Sequence, residues 1–579
     1  LKIGGSFQPI STAELVDRVR RLSKALLELG VAPGDRVALM SENGPHWPTV
    51  DFATLCAGAV LVPIYPTLLP DQAAYIAHDC GARVIFAETT AHLEGLLAHA
   101  AEMPGVEHFV LIRGTSDDPR VTTLQALITQ GAGAGAIDVA KFEQSARACR
   151  PEDLATLVYT SGTTGKPKGV MLTHGNIASN VEAGLEVLPI EGSSVALSFL
   201  PLSHSFERTV DYCYFHKGVT IAYAESVQTV ARNLLEVRPH FFVSVPRVYE
   251  KVLAKVQEGV AASSPVKQRI FAWALGTGRE ALPFRLKLER PPGLLGLRLS
   301  LADRLVFGKI RERLGGRFRF AISGGAPLGR DVAEFFWAAG IPIYEGYGLT
   351  ETSPVISVNS YKSGAKLGSV GQVVPGVEVR IAPDGELLAR GHNIMKGYWN
   401  LPAATAEAID GEGWFHTGDI AELDGEGFVR ITDRKKELIV NAYGKNVAPA
   451  PIENALKASP FIGQAVVIGD RRKFLSALLV PEFDALKAWA GKQGIAVASH
   501  EALLTDPRVR ALFAQEVARV NTSLPSFEKI VAWDLLSQEF TLETGELTPT
   551  QKVKRRVINE KYGHIVDRLY TEADAHHGS

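Results

Sequence analysis

The stretch YTSGTTGKPKG, Tyr159 to Gly169, constrains this chain more than any other part of it. It follows Ala155–Thr160, an apolar run with strand character, and gathers three glycines, four hydroxyl side chains and two lysines into one turn. A flexible backbone flanked by hydroxyl donors and ammonium groups suits the wrapping of phosphate oxygens. The Walker pattern is not met. It needs four residues between its glycines and Ser or Thr after its lysine, whereas Gly162 and Gly165 enclose two and Pro167 follows Lys166.

Upstream, strand and helix patterns alternate. Leu15, Val19, Leu22 and Leu26 recur at helical spacing, and apolar runs at Arg36–Met40, Ala59–Pro63, Arg83–Ala87 and His108–Ile112 are separated by helix-length segments such as Asp71–Cys80. That order implies βαβ units and a mostly parallel sheet. Gly131–Ile137 reads as a surface loop. Short strands at Val377–Arg380, Gly385–Ala389 and Gly427–Ile431, joined by Asp-Gly and Gly-Glu turns, form a smaller β-rich region. Composition changes near Asp433, and a fresh α/β pattern follows: a helix around Pro451–Lys457 and strands Ala465–Ile468 and Leu475–Val480.

The global balance, 61 basic against 63 acidic side chains in 579 residues, gives no reason to expect nucleic acid as a partner. Cys56, Cys80, Cys149 and Cys213 stand apart without metal or redox spacing, which points to a reducing cytoplasm. No run approaches the ~18 apolar residues of a spanning helix. The chain starts at Leu1 rather than Met, so a segment upstream of it is left open.

Further signatures follow the glycine-rich turn: YEGYGLTETSP at Tyr344–Pro354, GWFHTGD at Gly413–Asp419, DRKKELI at Asp433–Ile439 and LTPTQKVKRR at Leu547–Arg556. Their order and content resemble the adenylate-forming superfamily of acyl-CoA synthetases, peptide adenylation domains and firefly luciferase. The resemblance implies a large N-terminal domain of α/β subdomains, residues 1–433, and a small mobile α/β C-terminal domain, residues 434–579. It also implies ATP, CoA and Mg²⁺. Thr160, Ser161, Gly162, Thr163, Thr164, Gly165, Lys166 and Lys168 would hold phosphate. Gly324, Gly325 and Ala326 of SGGAPL, with Glu345, Gly346, Tyr347 and Gly348, would hold adenine, with Tyr347 stacked on it. Thr350 would lie near the phosphate, and Glu351 with Thr163 would hold Mg²⁺. Asp419 and Arg434 would hold the ribose hydroxyls, Ile431 would lie in the nucleotide site, Gly444 and Lys445 would meet CoA, Lys436 would be the hinge, and Lys552 the catalytic lysine.

SFLPLSHSFERT, Ser198 to Thr209, and VPRVYEKV, Val245 to Val252, resemble long-chain fatty acyl-CoA synthetases, which places His204 near the substrate carboxylate. Some members carry a gating tryptophan shortly after this histidine; Arg208 stands at that position. Between Lys267 and Arg319, thirteen Lys/Arg face four Asp/Glu, a net of +9 interleaved with Leu, Phe and Trp273. Such a concentration suits an anionic membrane, with a solvated helical face as the competing reading. The expected activity is long-chain fatty acid:CoA ligation through acyl-AMP. The alternatives are an acyl-AMP ligase loading a carrier protein, a ligase for a medium-chain or aryl acid, and a nucleotide-binding regulator on a retired scaffold. Oligomeric state stays open.

Overall fold

Ser11 caps the helix Thr12–Glu28 by accepting the Glu14 N–H, and Val19, Leu22 and Leu26 turn the helix's apolar stripe into the core. The structure, a computed structural model, describes residues 2–3, 5–132, 139–160, 166–435, 437–443, 445–495, 499–541, 543–548 and 553–577. The chain divides into two compact units. The first takes Leu1–Arg380, Leu388–Thr417 and Asp424–Val429; the second takes Ile381–Leu387, Gly418–Leu423 and Arg430–Ser579. The compositional change near Asp433 falls just inside the second unit, whose two upstream segments carry no such mark.

In the first unit one sheet is built from β1 (Arg36–Met40), β2 (Val60–Ile64), β3 (Ala82–Ala87), β4 (His108–Leu111), β5 (Val121–Thr123), β6 (Leu154–Thr160) and β7 (Lys168–Thr173). Its order is β7-β6-β2-β1-β3-β4-β5, with Gly397–Tyr398 on the β7 edge. The strands β6-β2-β1-β3-β4-β5 are parallel, and β7 returns antiparallel to β6. Helix α1 (His46–Cys56) lies in the β1–β2 crossover, as parallel pairing requires.

The second sheet comprises β8 (Val195–Ser198), β9 (Thr220–Tyr223), β10 (Phe241–Ser244), β11 (Phe320–Ser323), β12 (Ile343–Gly348), β13 (Val355–Val358) and β14 (Gln372–Val373), in the order β9-β8-β10-β11-β12-β13-β14. Its first five members are parallel; β13 and β14 are antiparallel additions. Helix α2 (Ser205–Lys217) joins β8 to β9, and α3 (Pro265–Glu280) and α4 (Gly293–Ala302) belong to the long β10–β11 connection, with α5 (Arg330–Ala338) between β11 and β12. Pairing of Ser244 with Ser323 and of Ser323 with Glu345 aligns the carboxyl ends of β10, β11 and β12, the edge where open α/β sheets bind ligands.

One expectation fails here. Gly131, read as the start of a surface loop, and Ala132 instead complete the helix Leu124–Ala132. A Cβ on Gly131 would stand 2.1 Å from the Arg21 carbonyl oxygen, so the glycine permits helix-to-helix contact. Residues 133–138 lie outside the described set.

The second unit has its own sheet, Ile462–Ile468 antiparallel to Leu475–Pro481, which runs parallel to Ile530–Leu535. Leu456, Val466, Leu478, Phe513 and Ile558 are buried in its core. No helix among the described residues is long and apolar enough to cross a membrane.

Candidate active site

The glycine-rich turn joins the two arms of an antiparallel pair, for Thr160 at the end of β6 pairs with Lys168 at the start of β7. The arms are fixed from both sides. The Tyr159 hydroxyl donates to Asp79 Oδ2 at 2.5 Å, and Trp399 Nε1 donates to the Asp79 carbonyl. Lys166 Nζ lies 4.9 Å from the centre of the Tyr75 ring and Lys168 Nζ 5.0 Å from that of Tyr398. Both ammonium groups therefore rest on aromatic faces at the ends of the turn. Ser161, Gly162, Thr163, Thr164 and Gly165, between the two strands in sequence, lie outside the described residues.

Across the unit, β12 carries Glu345, Gly346, Tyr347 and Gly348, and β11 runs directly into Gly324, Gly325 and Ala326. The parallel register of Ser323 with Glu345 brings these two signatures side by side. The space beside Gly324 is filled from within: a Cβ there would meet the Phe206 ring of α2 at 2.8 Å. Burial pushes the Glu345 carboxyl up to about 8, so it holds its proton near neutrality.

After β12 the chain makes the 3₁₀ turn Thr350–Thr352. Thr350 is buried, and its hydroxyl lies 3.1 Å from that of Ser205, the first residue of α2. His204 caps α2 by accepting the Phe206 N–H on Nδ1 at 3.0 Å, which leaves the neutral ring's proton on Nε2. Glu351 accepts the Tyr398 hydroxyl at 3.0 Å, and its carbonyl accepts the Met395 N–H. The segment Met395–Trp399 then continues along β7 through Lys396 N–H to Met171 O and Trp399 N–H to Gly169 O. It is a strap that ties the Glu351 turn to the strand bearing Lys168.

Arg208 is no gate. Its guanidinium is fully buried, donating to both Asp51 carboxylate oxygens at 2.6 and 3.2 Å and to the Thr156 hydroxyl at 2.7 Å. The Tyr212 hydroxyl donates to Asp51 Oδ2, and the guanidinium lies over the Trp47 ring. The clamp joins α1, β6 and α2, so it fixes the helix that begins at Ser205 against the strand that ends at Thr160. Arg285, counted in the basic segment, also turns inward. It donates to the Trp337 and Ala338 carbonyls at the end of α5 and lies over Phe307. The Trp337 carbonyl also accepts the Gly340 N–H, so the guanidinium adds to the capping of this helix end.

The remaining expected residues belong to the second unit. Asp419 is buried, and its carboxylate lies 3.4 Å from the Arg434 guanidinium; Ile431 is three residues before Arg434 on the same strand. Burial pushes the neighbouring Asp433 up to about 6, against a hydrogen bond from the Arg434 N–H that favours the charged form. Lys445 is exposed in a turn whose N–H groups bond to Asn441. Lys436, Gly444 and Lys552 lie outside the described residues.

The sequence profile described as AMP-binding enzyme matches residues 3–399, and the one described as AMP-binding enzyme C-terminal domain matches residues 436–574. The chain belongs to the AMP-binding, adenylate-forming enzyme family. It is 39% identical over 575 residues to the long-chain-fatty-acid–CoA ligase FadD15 of Mycobacterium bovis, covering 98% of this chain and 94% of that one. It is 34% identical to the peroxisomal long chain acyl-CoA synthetase 7 of Arabidopsis thaliana, covering 99% and 83%. In fold it is similar to the adenylation domain of a carboxylate reductase from Mycobacterium chelonae, with a TM-score of 0.77 at 23% identity, over 98% of this chain and 85% of that one.

In this AMP-binding enzyme the donor set at Glu351 fits Mg²⁺. The carboxylate is half-buried, with one oxygen steadied by a phenol, and Mg²⁺ takes one or two carboxylates and completes its shell with phosphate and water oxygens. Among the described residues no cluster of three His, Cys, Asp or Glu side chains could hold a metal by itself. Sequence reasoning missed Tyr398, whose signal was GYWN, a Gly-Tyr pair at a strand edge. It also missed Asp51, which is 157 residues from Arg208 and has no local signal.

Proposed function

We infer that this enzyme is an AMP-forming long-chain fatty acid:CoA ligase. A carboxylate oxygen of the fatty acid attacks the α-phosphorus of ATP, the bond to the pyrophosphate oxygen breaks, and acyl-AMP forms. The CoA thiolate then attacks the acyl carbon, the bond to the AMP oxygen breaks, and acyl-CoA and AMP leave. The strap from Glu351 through Tyr398 to Lys168 carries this reading, because it joins a carboxylate suited to Mg²⁺ to a lysine on the phosphate turn. The names of the full-length relatives support the long-chain substrate.

The first step brings two anions together, so positive charge must meet the transition state. Lys166 and Lys168 supply part of it at the turn, Lys552 is assigned the bridging ammonium, and Glu351 and Thr163 would hold Mg²⁺, which would supply neutralisation of phosphate charge. Thr350 and His204 Nε2–H are assigned to the phosphate and the substrate carboxylate. The Asp419–Arg434 pair serves the ribose hydroxyls, Ile431 lies in the nucleotide site, Lys436 is the hinge, and Gly444 and Lys445 meet CoA. A cytoplasmic location and peripheral contact with an anionic membrane belong to the same reading, supported by free cysteines and the basic segment.

The test is AMP release across fatty acids of increasing length, with and without CoA. Turnover that is greatest with long chains and requires CoA supports the reading. Preference for short or aryl acids, or turnover only with a carrier protein, contradicts it.

A further inference from the structure

Helix α4 and the turn after it are apolar on both faces, and only one face is covered. Leu299 and Ala302 enter the core, whereas Leu294, Leu297, Leu301 and Leu305 are exposed by 73, 70, 51 and 41%. Their spacing, i, i+3, i+7 and i+11, draws one stripe along the helix. The neighbouring α3 extends the stripe with Val266 and Ile270, 65 and 37% exposed. Arg269, Ile270, Trp273, Leu301 and Leu305 line one groove, and its accessible lining is apolar. Scattered exposed leucines need no explanation, but a contiguous stripe of this kind marks an interaction surface.

The charges around the stripe say what covers it. Arg279, Arg298 and Arg311 are neutralised by Glu334, Glu280 and Asp303 at 2.7, 2.9 and 2.7 Å. Lys267, Arg269, Lys287, Arg290, Arg304 and Lys309 are exposed, and among the described residues they have no ion-pair partner. A second copy docking by the same face would set these cations against their equivalents. An apolar stripe rimmed by unpaired cations instead fits an interface with acyl chains behind a layer of phosphate.

We propose that the α3–α4 face docks on an anionic lipid bilayer. Leu294, Leu297 and Leu301 enter the headgroup–acyl boundary, and Lys267, Arg269, Lys287, Arg290, Arg304 and Lys309 meet lipid phosphates. This deepens the membrane contact named in the proposed function but does not depend on the ligase chemistry, since binding is read without turnover. A fatty acid partitions into the same boundary, so docking holds the enzyme where its substrate is concentrated.

The test is co-sedimentation of the full chain with vesicles of equimolar phosphatidylglycerol and phosphatidylcholine, against pure phosphatidylcholine. The parent binds the mixed vesicles, and raising salt releases it as screening shortens. Leu294→Ser/Leu297→Ser and Lys287→Glu/Arg290→Glu each lower the partition coefficient at least about tenfold, from lost apolar insertion and from charge reversal near the surface. Both variants keep vesicle-free turnover of a medium-chain acid within about twofold of the parent, because the altered residues lie outside the nucleotide site. No binding by the parent, equal binding to uncharged vesicles, or parent-like binding by either variant overturns the proposal. A parent dimer in sedimentation equilibrium that the leucine variant dissociates assigns the face to a second copy and also overturns it.

Discussion

Tyr398 differs from phenylalanine by the hydroxyl that it gives to Glu351. Tyr398→Phe keeps the ring under Lys168 and removes that hydrogen bond. The variant is expected to need about tenfold more Mg²⁺ for half-maximal ATP–pyrophosphate exchange, the usual loss when a metal ligand's supporting partner is removed. Mn²⁺ binding followed by electron paramagnetic resonance should weaken in parallel; unchanged metal dependence shows that Tyr398 only packs. A second residue prediction concerns pH. Glu345 has its proton held in the folded state up to about 8, above its ordinary 4.5. Its contribution to stability is therefore full below the unfolded value and is lost as pH rises through the folded one. Glu345→Gln should flatten the fall in unfolding free energy across that window, measured by urea denaturation at several pH values. A slope equal to the parent's contradicts the assignment. At this scale the sequence made the motif residues legible because backbone chemistry concentrates them in short runs. Asp51 and Tyr398 were not legible, because their roles depend on partners brought near by folding.

Among elements, the parallel strands β1, β2, β3, β4 and β6 were read to within a residue or two, for apolar runs bounded by Gly and Pro signal buried strands directly, whereas β5 and the parallel strands of the second sheet were not read as strands. The β6–β7 pair and the strap along β7 were not read, since Lys168–Thr173 begins with a charged residue and its partner is contiguous only through the turn. The clamp between α1, β6 and α2 gives an element-scale prediction. The exposures of the Arg208 and Asp51 side chains are 4 and 2%. Arg208→Met should leave a buried carboxylate without its cation and cost about 3–5 kcal/mol. Asp51→Leu/Arg208→Met should recover much of that loss by removing both charges. Chemical denaturation of the two variants decides it: a double variant no more stable than Arg208→Met would show that the loss does not come from leaving Asp51 buried without its cation. The basic segment illustrates the opposite limit of sequence reading. A count of charges cannot distinguish Arg285, which closes a helix end, from Lys287, which faces solvent.

For the whole molecule, the division into two units places the residues proposed for phosphate and adenine in one and the pair proposed for the ribose in the other. The proposed hinge at Lys436 makes the two half-reactions separable. Lys436→Pro fixes one backbone angle and is expected to spare acyl-AMP formation while suppressing thioester formation; unchanged overall turnover places the hinge elsewhere. The family assignment was legible because the signatures span nearly the whole chain in order. The compact units were less so, since strands assigned to the second unit stand upstream of the compositional change. The central claim, activation of a long-chain acid as its adenylate followed by transfer to CoA, is tested most directly by acid-dependent ATP–pyrophosphate exchange in the parent and in Lys552→Ala. The account predicts exchange with a long-chain acid in the absence of CoA. It also predicts its near-complete loss in Lys552→Ala, with CoA transfer from supplied acyl-AMP largely retained because the lysine acts when carboxylate meets α-phosphate. Absence of exchange in the parent, or equal loss of both half-reactions in the variant, would contradict it.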